Sequence, residues 1–99
     1  MLVNAERLAA LRAEIGEDGF EEVLEMFLKE SDEVVARLAA PSIPESIEAD
    51  LHFLKGTALT LGMDDLADMC RRGEQGAAVD PAALADLYRR SCAALPALA

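Results

Sequence analysis

An all-α fold is predicted, arranged as an antiparallel up-and-down four-helix bundle with a short accessory N-terminal helix. Three observations predict it. Apolar residues recur at spacings of three and four along most of the chain. No period-two alternation of useful length appears, so no strand is expected. Gly and Pro punctuate the sequence at short intervals, leaving four amphipathic segments and a small leading one, joined by short connections. Residues 1–99 read as one domain, since a chain of this length buries roughly two-thirds of its unfolded surface.

In the leading segment Leu8, Leu11 and Ile15 fall at helical spacing, with Asn4 as cap and Gly16 as stop. The next opens with Asp18 and Glu21 at capping-box spacing. Its stripe is Phe20, Val23, Leu24, Phe27, Leu28, Ser31, Val34, Val35 and Leu38, and Pro41 ends it. Ser42 and Glu45 repeat the capping-box spacing, and Pro44 is tolerated in the first turn that follows. This third helix runs to about Leu61, where Gly62 stops it. Asp64 caps a shorter helix bearing Leu66, Met69 and Cys70, ended by "GEQGAAV". Asp80 and Pro81 supply a cap and a first helical position for the last helix, striped by Leu84, Leu87, Tyr88, Ser91 and Leu95.

A hydrophobic fraction of 53% provides a core, while aromatics are only 4%. The formal net charge of −10 argues against nucleic acid and anionic membranes as partners, since the densest basic runs are the pairs Arg71-Arg72 and Arg89-Arg90. No apolar run is long enough to span a bilayer and no basic-then-apolar leader is present, so a soluble cytoplasmic protein is expected. Met1 and the apolar finish at Ala99 favour a stand-alone protein over an excised domain. Cys70 and Cys92 lie inside apolar helical patterns and are expected as reduced, buried thiols rather than a disulfide. With one distant histidine they are too few for a zinc site.

That histidine, His52, is the only one in the chain. On a wheel at about 100° per residue, Ile47, Leu51, Leu54, Ala58 and Leu61 span an arc of roughly 80° that faces the core. His52 lies roughly 140° from its middle and points to solvent, among Glu45, Glu48, Lys55, Gly56 and Leu59. A mid-helix Gly costs about 1 kcal/mol relative to Ala. Leu59 is a large apolar side chain on an otherwise polar face. A surface His is usually just a polar residue, a Lys a solvated charge, and a lone exposed Leu needs no explanation. Their convergence on one patch is what suggests chemistry. An outward imidazole, mostly neutral near neutral pH, can act as a nucleophile toward another macromolecule. Gly56 at i+4 lowers the adjacent turn, and Lys55 at i+3 offers a charge for a phosphoryl group, or pairs with Glu48 or Asp50.

"HFLKGTALTLG" resembles the signature of histidine-containing phosphotransfer (HPt) domains: His, then Lys-Gly three and four residues on, small residues, and Gly ten after the His. The continuation "MDDLADMCRRGE" also looks like that family, with Leu66 four residues after Gly62 and the small Cys70 four beyond. Length and helix pattern agree over nearly the whole chain, while Leu51 to Glu74 is the motif-specific part. One departure is Gly73, which precedes Glu74 where the family often has an apolar residue; it is expected to shorten or loosen the fourth helix. The resemblance implies a phosphorelay carrier, with His52 forming an N-phosphohistidine, Lys55 helping to hold the phosphoryl group and Gly56 leaving room for the partner. Its partners would be receiver domains of hybrid histidine kinases and response regulators. These bring the aspartate and Mg²⁺, so no metal or cofactor of its own is expected. Receiver contacts are expected from Glu48, Phe53, Leu59, Arg71 and Arg72, on a monomer.

No glycine-rich nucleotide motif is present, so phosphorylation from ATP by the chain itself is not expected. The alternative from another class is a non-catalytic helical adaptor or docking module for signalling proteins, which gives no reason for His52 and Gly56 to share a face. An acid/base enzyme pairing His52 with Glu48 at i−4 is the weakest rival, because a convex helix offers no pocket.

Overall fold

The computed structural model describes residues 2–39 and 44–95. Among the described residues it is all-helical, with α1 (Ala5–Ile15), α2 (Glu17–Ala39), α3 (Pro44–Leu61), α4 (Asp64–Glu74), α5 (Pro81–Ala93) and no strand. None of these helices is long and apolar enough to cross a membrane. The Pro41 stop and the Ser42–Glu45 capping box lie outside what is described.

Local chemistry accounts for most of the helix ends. The Asn4 side chain accepts from the Arg7 N–H at 3.1 Å, the expected cap of α1. Gly16, at φ 90°, closes α1, and its carbonyl accepts from Phe20 N–H at 2.9 Å to open α2. One residue thus serves both helices. Asp18 consequently sits inside the first turn of α2 instead of capping it, where its charge still opposes the positive helix end. Asp64 is likewise the first helical residue of α4 and not its cap; buried Met63 holds that place, its carbonyl accepting from Ala67 N–H at 2.9 Å. Asp80 caps α5 as expected, accepting from Ala82 N–H at 3.1 Å, with Pro81 at the first position.

α2 packs against both α3 and α5, α4 also packs against both, and α1 lies on α2 and α3. The shared core includes Phe20, Leu24, Leu54, Leu61, Leu66 and Leu84, all essentially inaccessible. Polar ties fix the neighbours. Arg37 and Asp50 join α2 to α3 through bonds of 2.9 and 3.3 Å. The Tyr88 hydroxyl donates to Asp32 at 2.6 Å, joining α5 to α2, with the Leu28 carbonyl 3.2 Å away. Ile47, expected on the core arc, is 37% exposed: it lies one turn beyond Leu51, where the core runs out into a shallow apolar recess against Leu38, Val79 and Pro81. Ile15, at the end of α1, is exposed to the same extent. Both cysteines are free, Cys70 buried and Cys92 half-buried.

The turn between α3 and α4 is pinned from outside. Gly62 adopts φ 78°, and its carbonyl accepts from the Asn4 N–H at 2.6 Å. A Cβ at Gly62 would lie 2.8 Å from the Asn4 carbonyl oxygen, a backbone atom with little freedom to move. Both the left-handed backbone and this approach require glycine. Gly62→Ala is expected to lower stability by about 2 kcal/mol, read as a reduced urea midpoint at unchanged slope.

Candidate functional site

Helix periodicity puts Leu51, Leu54, Thr57, Ala58 and Leu61 of α3 into the interior and leaves the opposite face to solvent. His52 stands on that face with 74% of its side chain exposed. Phe53 is 39% and Leu59 53% exposed, and Glu48 and Gly56 are also on the surface. The expected ridge of α3 therefore exists, with Phe53 on its outer side and not in the core.

A residue from another helix completes the site. Glu74, the last residue of α4, accepts a hydrogen bond from Lys55 Nζ at 2.9 Å through one carboxylate oxygen. Its other oxygen, Oε1, lies 3.4 Å from His52 Nδ1, is shielded from water and has no aligned donor. Lys55 thus pairs with Glu74, and not with Glu48 or Asp50; Asp50 is engaged by Arg37. The carboxylate facing the imidazole is Glu74 as well, in place of Glu48. The Lys55 bond holds the Glu74 carboxyl below the usual carboxylate range, against the opposing effect of burial and with the neighbouring His52 adding to the lowering. Glu74 is therefore ionised at neutral pH, and the bridge is lost only as pH falls through that lowered value.

This charge favours a proton on the imidazole nitrogen that faces it, Nδ1. A buried carboxylate oxygen without a donor is costly, and a proton on Nδ1 is the nearest positive group on the ring, its nitrogen at 3.4 Å but not aligned as a hydrogen bond. In that tautomer the lone pair resides on Nε2, across the ring. Sequence reading missed Glu74 because it lies 22 residues from His52 on a different helix. The only signal was its place as the glutamate closing the second half of the motif.

A Cβ at Gly56 would meet no atom within 4 Å, so a methyl would crowd neither the imidazole nor another helix.

Two grooves flank the ridge. One, beside α4, is lined by Lys55, Leu59, Asp64, Ala67, Asp68 and Arg71. The other, beside α2, is lined by Glu30, Glu33, Val34, Arg37, Asp50 and Phe53. Arg71 thus joins Leu59 and Lys55, but its charge and that of Arg72 both bear on Asp68, which Arg71 holds below the usual carboxylate range by a hydrogen bond. The positive field of the arginine pair is correspondingly muted. Cys70 is no rival nucleophile: burial, with Glu74 adding, pushes its thiol up to about 12. Among the described residues no three His, Cys, Asp or Glu side chains are disposed to hold a metal ion.

The family model for the Hpt domain matches residues 22–98, which covers most of α2, all of α3 to α5 and the whole ridge. The chain belongs to the Hpt domain family. Hpt domains are phosphocarrier modules that take part in histidine phosphotransfer within two-component phosphorelays and interact with receiver domains. No curated protein and no solved structure gives a significant match to the chain.

An empty position at Gly56 makes one sharp expectation about stability. Gly56→Ala is expected to stabilise the fold by up to about 1 kcal/mol in chemical denaturation, because it adds helix propensity and no clash.

Proposed function

We propose that this Hpt domain is a phosphorelay intermediate that carries a phosphoryl group on His52, taking it from the aspartate of one receiver domain and giving it to another. The observation that carries the proposal is an imidazole projecting from a convex helix with its Nδ1 turned to an ionised, water-shielded carboxylate. Such a ring offers Nε2 to a partner's active site and to no pocket of its own.

In the forward step the Nε2 lone pair attacks the phosphorus of an aspartyl phosphate. The N–P bond forms as the P–O bond to the aspartate breaks, and the bonding electrons leave with that carboxylate. The ring keeps its Nδ1 proton throughout and gains positive charge as the N–P bond forms. Glu74 offsets that charge, as the carboxylate of a Ser-His-Asp triad does for its imidazolium. Lys55 lies on the same side and can share its ammonium between Glu74 and the incoming phosphoryl oxygens. The reverse attack by a second receiver's aspartate restores the free imidazole. The receiver would bring the Mg²⁺ that offsets phosphoryl charge, and no residue of this chain is assigned to hold it.

Phe53 and Leu59 are proposed as the apolar contacts of the receiver, with Glu48, Arg71 and Arg72 at the margin and Gly56 as the clearance between. Residues 1–99 are read as a single cytoplasmic domain acting as a monomer, without autokinase activity. Its helices are taken to run up and down as an antiparallel four-helix bundle of α2 to α5, supported by the ring of packed pairs, with α1 accessory.

The test mixes the purified chain with a labelled, aspartyl-phosphorylated receiver and Mg²⁺, with His52→Gln run alongside. Acid-labile, base-stable label is expected on the wild type alone. No transfer from any of several receivers to a demonstrably folded chain would contradict the proposal and favour an adaptor.

A further inference from the structure

Glu74 reaches His52 where the end of α4 packs on α3, and the residue before it lies in that contact. Gly73 is sandwiched: a Cβ built there would lie 2.9 Å from Leu51 Cδ1 on α3 and 2.7 Å from Val79 Cγ2 on the segment that follows α4. Ordinary contact between carbons needs roughly 3.5–4.0 Å, so one methyl demands about 1 Å of movement, shared between α4 and the side-chain ends of Leu51 and Val79. Leu51 and His52 are consecutive in α3, and Gly73 and Glu74 are consecutive in α4. The contact of Leu51 with bare backbone at Gly73 and the approach of His52 to Glu74 are therefore the same approach of two helices, read one residue apart.

The end of α4 is otherwise firmly built. It does not loosen at Gly73, as its departure from the family pattern suggested, but continues through Glu74. Gly76, at φ 97°, then donates to the Gly73 carbonyl at 3.1 Å and Ala77 to the Arg72 carbonyl at 3.0 Å, the paired bonds of a Schellman close. This turn fixes Glu74 as the last helical residue and brings Val79 back over Gly73. Hydrogen bonding thus sets the position of Glu74 along α4, while the missing side chain at Gly73 sets its distance from α3.

We infer that Gly73 is a positioning residue of the site: its absent Cβ holds the Glu74 carboxylate within reach of Nδ1 and thereby fixes the tautomer and reactivity of His52. The margin is small. At 3.4 Å from Nδ1, Oε1 is already at the edge of contact, and a retreat of α4 by about 1 Å removes it.

The inference rests on the proposed function only for its effect on reactivity; its structural half stands apart. The experiment compares wild type, Gly73→Ala, Gly73→Ala with Val79→Ala, and Glu74→Gln. Two readouts are taken: ¹⁵N NMR of the His52 ring, and the rate of His52 phosphorylation by phosphoramidate, a small donor needing no receiver. Gly73→Ala gains helix propensity but presses on Leu51 and Val79, so its fold is checked by chemical denaturation alongside. Its ring spectrum should move from the Nδ1–H form toward that of Glu74→Gln, with the rate lowered about tenfold. Adding Val79→Ala removes the nearest obstructing atom and should recover part of both. Should Gly73→Ala alone fail to fold, the doubly substituted chain carries the comparison, expected between wild type and Glu74→Gln in both readouts.

A Gly73→Ala spectrum and rate equal to wild type would overturn the inference, showing that Leu51 and Val79 yield while α4 stays in place. So would a loss of rate with an unchanged ring spectrum, or a double variant no nearer wild type than the single one. If wild type takes no phosphoryl group at all, the proposed function fails while the tautomer comparison still decides the role of Gly73.

Discussion

One carboxylate joins the two halves of the site. Glu74 receives Lys55 through one oxygen and faces the imidazole of His52 with the other, so a single side chain from α4 organises two from α3. An exposed histidine on a helix would otherwise sample several rotamers and both neutral tautomers. Here the ring can remain open to a partner and still present one defined nitrogen. The same bridge keeps Lys55 near the ring without letting it lie freely in solvent, since only 24% of its side chain is exposed. Preorganisation of this kind is what a carrier without a pocket needs, because the partner supplies the rest of the reaction centre.

The charge distribution follows the same economy. A chain with net charge −10 has little positive field to offer an acidic receiver pocket. Arg71 and Arg72 converge on Asp68, and Arg89 and Arg90 converge on Asp86, so most of the exposed guanidinium charge is answered locally. What remains at the centre of the ridge is apolar: Phe53 and Leu59 on either side of a glycine. On the proposed reading, recognition there relies on shape and desolvation around His52 more than on long-range attraction.

Most of the fold was legible because helix chemistry is local. Asn4, Gly16, Gly62, Asp80 and Pro81 mark ends through their own backbone and capping preferences, and the stripes from Phe20 to Leu38 and from Leu84 to Leu95 mark buried faces. The errors occurred where two signals competed for one place. Gly16 both closes α1 and opens α2, which displaced Asp18 from the cap, and buried Met63 occupies the position that Asp64 was expected to hold. The exposed half of the site was equally legible, since His52, Gly56 and Leu59 are placed by the period of α3 alone. Glu74 was not, because its role depends on how closely α4 packs on α3. No periodicity encodes that distance; it is set by the atoms missing from Gly73.

The central claim is that Glu74 directs chemistry to one nitrogen of one imidazole. It is tested most directly by phosphorylating ¹⁵N-histidine-labelled chain with phosphoramidate and reading the ³¹P–¹⁵N coupling in alkaline solution. Phosphorus bonded to Nε2 of His52 is the result predicted. Phosphorus on Nδ1, or on both nitrogens in comparable amounts, would contradict the account, since it would mean that the carboxylate beside Nδ1 does not govern the ring.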